Sequence, residues 1–193
     1  MNQVLKLSWT ERIIKSLLDD WIAPICHAVD DWGCLEPSMK KTTVALEVPG
    51  VTQVHSYSCG ATASWSVMQA LGWDIDIRKW IAYCHAAGMH PDEGMDEKQL
   101  DKALGKVGAR LRTISYRRTD QVRRLIDGGQ PILFGWDDNG EGEGDHWMYI
   151  YGYERRNVLV GNVVLPLKSK DRVRWAEWSA RLVPRELYVI EAK

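Results

Sequence analysis

Residues 146–153, His-Trp-Met-Tyr-Ile-Tyr-Gly-Tyr, run without a charged side chain after the first histidine, and this stretch constrains the fold more than any other. A strand wetted on one side alternates apolar and polar residues, whereas a near-continuous apolar and aromatic run is that of a strand covered on both faces. Turn residues at 154–157 and a second apolar run at 158–164 make it one arm of a hairpin. The chain must therefore supply material for both sides of a sheet.

That material precedes the hairpin. Ser8-Trp9-Thr10-Glu11 has the form of a capping box, in which hydroxyl and carboxylate satisfy free backbone donors, and Ile13, Ile14, Leu17, Leu18, Trp21 and Ile22 follow on one helical face until Pro24. The stretch 26–43 reads as a connection and 44–48 as a short strand. Helices are predicted over 59–71, ended by Gly72, then over 74–87 and 96–107. A strand at 109–115, a short helix over 119–126 capped by Thr119, and an apolar strand at 131–136 come next. The tail offers a helix with Trp175 and Trp178, which are candidates for a partner surface, and a closing strand at 187–190. Helices first and antiparallel strands second make an α+β fold. With 193 residues, one domain is expected over 1–193, with a helical N-terminal extension at 1–45 and the core at 46–193.

Composition excludes several classes of function. The chain is 45% apolar and 26% charged, as globular proteins are, and its formal net charge of -1 gives no basic footprint for nucleic acid. Neither a signal peptide nor an 18-residue apolar span is present, so no membrane partner and a cytoplasmic location are expected, with export by a signal-less route left open. Cys26, Cys34, Cys59 and Cys84 lack paired spacing and are expected to be reduced.

Chemistry concentrates at Cys59. A cysteine at the first turn of a helix faces unpaired backbone N–H groups and the positive end of the helix dipole, both of which favour the thiolate. Gly60 would let a substrate approach the sulfur closely. A thiol nucleophile needs a base, and His146, opening a buried strand after a glycine-rich loop, is the best placed of five histidines. Asn162, on the return strand of the same hairpin, can orient its imidazole. Gln53, six residues before the cysteine, can supply a side-chain oxyanion donor beside the Cys59 N–H. Gly60, Asp145 and Trp147 are candidate substrate-contacting residues. The acidic stretch 137–145 starts like an EF-hand loop, but Met148 stands where the closing Glu belongs, so no metal is expected; an acidic lip favouring cationic substrates is the alternative to a plain hairpin loop.

The strings Gln53-x5-Cys59-Gly60-Ala61, Gly129-Gln-Pro131-Ile-Leu and His146-Trp-Met-Tyr-Ile-Tyr-Gly152-Tyr153 resemble the papain-like peptidase domain of bacteriocin-exporting bacterial ABC transporters and its free-standing relatives, over roughly residues 46–165. The resemblance implies a papain-like fold with the catalytic helix packed on an antiparallel sheet. It implies Cys59 as nucleophile, His146 as base and Gln53 in the oxyanion hole, and no cofactor. The family's Asp-Pro at the third catalytic position corresponds here to Asn162-Val163, and Ser58 stands where relatives often have Asp. With no transporter segment in the sequence, cleavage of double-glycine leaders during export is not implied. The expected function is hydrolysis of a peptide or isopeptide bond in a peptide or protein substrate through an acyl-enzyme. The alternatives are a catalytically dead binding module and a secreted effector with transglutaminase or deamidase chemistry.

Overall fold

The computed structural model describes residues 43–137, 146–161 and 171–193. The N-terminal capping box and its helix, Cys26, Cys34, Asp145 and Asn162 lie outside these residues. In chain order the elements are β1 (Thr43–Ala45), α1 (Cys59–Ala70), α2 (Ile77–Ala87), α3 (Glu97–Gly105), β2 (Ala109–Ser115), α4 (Thr119–Asp127), β3 (Ile132–Trp136), β4 (His146–Glu154), β5 (Asn157–Gly161), β6 (Asp171–Arg174), α5 (Trp175–Ala180) and β7 (Glu186–Ala192). None of the described helices is long and apolar enough to cross a membrane.

The strands form one antiparallel sheet in the order β2-β7-β3-β4-β5-β6, with β1 paired to the far end of β4. The C-terminal strand is thus an interior strand, held between β2 and β3. Alternation along β7 divides its residues between two cores: Tyr188 and Ile190 join α1, α2 and α3, whereas Leu187 and Val189 join α4 and α5. The expected two-sided cover of β4 is what the sheet has, with Tyr149 on the first core and Met148 and Ile150 on the second. A register shift between Ile150 and Gly152 breaks the alternation, and Tyr153 lands on the second core.

Caps set the helix ends. The Asp76 carboxylate accepts the N–H groups of Arg78 and Lys79, starting α2 three residues later than periodicity suggests. Asp96 and Gln99 form a reciprocal capping box at the start of α3. For α4 the expectation of a Thr119 cap fails: Thr119 lies inside the helix, and the Gln121 side-chain oxygen instead accepts the N–H groups of Arg117 and Arg118. The tail also differs from expectation. Asp171–Arg174 is a strand paired with β5, and Trp178, a candidate for a partner surface, is fully buried in the second core among Tyr116, Phe134 and Trp175.

Candidate active site

The central helix α1 opens with six small residues, Cys-Gly-Ala-Thr-Ala-Ser, all buried, so this half sits close against the sheet and α2. Its position is pinned from the side. Trp80 of α2, wholly buried, donates its indole N–H to the Ala61 carbonyl at 2.9 Å and reaches the Ser64 hydroxyl at 3.2 Å. Full burial of such a side chain contributes on the order of 2–3 kcal/mol.

The start of α1 is left electrostatically open. Ser58 occupies the cap position but does not cap, because its hydroxyl donates to the His55 carbonyl at 2.8 Å and accepts the His55 N–H at 3.2 Å. No acidic residue stands in the first turn. Free backbone donors and the positive helix end therefore face Cys59 without a competing anion.

At that helix start the side chains of Cys59 and His146 are hydrogen-bonded to each other, and the backbone N–H groups of Trp147 and Gly60 also point at the sulfur. Both side chains are buried, Cys59 at 6% and His146 at 7% exposure. Burial is the largest single influence on the thiol and pushes its pKa up; the hydrogen bond and charge of His146, with the Trp147 and Gly60 N–H groups, together outweigh it, and the thiol lies below its ordinary range. The contrast with Cys84 is instructive. Also buried, but with no such partners, that thiol is pushed up to about 12.

His146 owes its place to strand pairing. It opens β4 opposite Trp136, and the next pair sets Trp147 opposite Gly135. Trp147 is fixed further by an indole N–H donated to the Met95 carbonyl at 2.8 Å. The space beside Gly60, read from sequence as open to substrate, is filled from within: a Cβ there would lie 2.8 Å from Met95 Cγ and 3.1 Å from Trp147 Cδ1. Met95 carried no signal in the sequence, since a methionine in a connection has no period to mark it.

Gln53 is 7% exposed. Its Nε2 donates to the Ser56 carbonyl at 3.1 Å, leaving one amide proton, and its Oε1 finds no partner among the described residues. Among the described residues no group of three His, Cys, Asp or Glu side chains is arranged to hold a metal ion.

The backbone matches solved structures. It superposes on a double glycine motif protease from an AMS/PCAT transporter, solved with the leader peptide, with a TM-score of 0.61 at 14% identity over 78% of this chain and 95% of that one. The peptidase domain of Streptococcus ComA gives 0.58 at 16% identity, covering 74% of this chain and 97% of that domain. The fold is that of the C39 papain-like peptidases. A protein described as a C39-like peptidase from Bacillus anthracis aligns over its whole length, 100%, and over 79% of this chain, with a TM-score of 0.60 at 13% identity. No family model and no curated protein matches the sequence. Within this C39 fold, α1 is the central helix under the sheet, and Cys59 stands at the end where β4 begins.

Proposed function

We propose that the protein is a cysteine peptidase or isopeptidase in which Cys59 is the nucleophile and His146 the general acid and base. The observation that carries the reading is the buried Cys59–His146 hydrogen bond at an uncapped helix start, with two backbone N–H groups on the sulfur. The likeness to peptidase domains, two of them belonging to transporters and one bound to a leader peptide, supports a peptide as substrate.

In this reading the Cys59 thiolate attacks the scissile carbonyl carbon, and the electron pair of the C=O moves to oxygen. The oxyanion is held by the Cys59 N–H and by the remaining amide proton of Gln53. Collapse breaks the C–N bond, and the leaving amine takes its proton from the His146 imidazolium. A water deprotonated by His146 then hydrolyses the thioester. Asn162 is the proposed orienter of His146, with Trp147 and Asp145 around the bound substrate.

The test is Cys59→Ala, assayed on peptide libraries and with a cysteine-directed vinyl sulfone. Turnover should fall by about 10⁴-fold or more, since a nucleophile and its base act as one unit, with the circular dichroism spectrum unchanged. Wild-type protein that neither cleaves peptides nor takes the probe at Cys59 would instead be a binding module on the same fold.

A further inference from the structure

A cleft of about 200 Å³ shares one residue, Trp147, with the surroundings of the Cys59–His146 pair. Trp147 joins the two, because its backbone N–H points at the Cys59 sulfur while its side chain forms part of the cleft wall. Met95, Val183, Pro184 and Tyr188 add to the apolar surface. The wall is built rather than incidental: the indole of Trp147 is tied to the Met95 carbonyl, and its ring meets that of Tyr188 at 5.2 Å.

The charged residues described on this cleft are all acidic. Glu93, Asp96 and Glu97 line it, and among the described residues no Lys or Arg does. Asp96 has a structural task, accepting the Gln99 N–H at 2.7 Å to cap α3. Glu93 and Glu97 are exposed and make no ion pair or hydrogen bond among the described residues. The charge of Glu97 is felt inside: after burial and the neighbouring Glu186, it adds to the forces that keep the Tyr188 hydroxyl protonated.

Two unpaired carboxylates over a narrow aromatic and aliphatic slot suit one kind of group, a long side chain with a cationic head. The methylene stem packs on Met95 and Pro184, the head meets the ring faces, and the carboxylates add a field focused by the low-dielectric walls. The volume is below the roughly 300 Å³ at which small-molecule pockets begin, which fits a single side chain. Resting on the peptidase reading above, we infer that this cleft takes a lysine or arginine side chain of the substrate next to the scissile bond, with Glu93 and Glu97 as the specificity-determining residues.

The test uses matched chloroacetamide peptides bearing Lys or norleucine, scanned through the positions nearest the electrophile, with plain iodoacetamide as reference. Labelling of Cys59 is read by mass spectrometry. At one position the Lys peptide should react about three- to tenfold faster at low ionic strength, and the advantage should shrink at roughly 0.5 M salt. The double variant Glu93→Gln, Glu97→Gln should lose it while keeping the iodoacetamide rate and the melting temperature of the wild type. If iodoacetamide labels Cys59 but Lys and norleucine peptides react alike everywhere, or if the double variant keeps the preference, the inference is overturned and the peptidase reading stands. A Cys59 inert to iodoacetamide overturns both.

Discussion

A His146→Ala variant separates the influences that set the acidity of Cys59. Burial, the largest of them, favours the neutral thiol, and it is outweighed by His146, which acts both as hydrogen-bond partner and as charge, together with the N–H groups of Trp147 and Gly60. Removing the imidazole leaves burial opposed by two N–H groups alone, so the balance shifts towards the protonated form. Each unit by which a thiol's pKa rises above the assay pH lowers its thiolate fraction about tenfold, equivalent to about 1.4 kcal/mol. At about pH 6.5, below the ordinary thiol range, the variant should react with iodoacetamide at least about tenfold more slowly than the wild type. The gap should narrow as the pH rises and both proteins approach full ionisation. Peptide mapping reads each site separately, and Cys84, pushed up to about 12 by burial, serves as the unreactive internal reference. Equal rates for wild type and variant at the lower pH, with unchanged near-UV dichroism, would mean that the helix start alone sets the acidity of the thiol, and the proposal of His146 as the base would fall.

Close packing and buried hydroxyls lead to two further outcomes. In Gly135→Ala the new Cβ would lie 2.2 Å from the Val183 carbonyl oxygen, a main-chain atom that cannot swing aside, so the variant should lose about 1–3 kcal/mol in urea unfolding; an unchanged midpoint would show that the segment carrying Val183 yields freely. Tyr149 and Tyr153 are both raised to about 12, chiefly by burial and, for Tyr153, by its bond to the Asp127 carboxylate at 2.8 Å. Unfolded tyrosine releases its proton near about 10. Between these values the folded state binds more protons, so their contribution is whole below about pH 10 and is lost as the pH climbs towards 12. Denaturant midpoints should therefore fall across that window, and a Tyr149→Phe, Tyr153→Phe protein should fall less; parallel curves would contradict it.

Local signals carried much of the fold. The helix start at Cys59, the ladder of α2 and α3, the strand Ala109–Ser115 and the hairpin of β4 and β5 are legible because caps, periodicity and turn residues act over a few neighbouring residues. Where a segment draws its conformation from a distant partner, the sequence is mute. Asp171–Arg174, Asp-Arg-Val-Arg, has the composition of a loop and is a strand because β5 pairs with it. Trp178 sits in a helix of six residues, too short for periodicity to tell an inward face from an outward one, and packing with Tyr116 and Phe134 buries it.

The same division runs through the candidate site. The residue types at Gln53, Cys59 and His146, and their order, could be read from the chain alone, because a thiol, an imidazole and an amide are chemically recognisable wherever they stand. Bringing the sulfur to the imidazole required tertiary structure: α1 buried against β4, and β3 in register so that Trp136 faces His146 and Gly135 faces Trp147. Only the fold could put Met95 and Trp147 over Gly60, or insert β7 between β2 and β3 so that Tyr188 meets Trp147. The physical reason is that side-chain chemistry is a property of single residues, whereas proximity between residues tens of positions apart is settled by sheet pairing and core packing, whose energies belong to the whole chain.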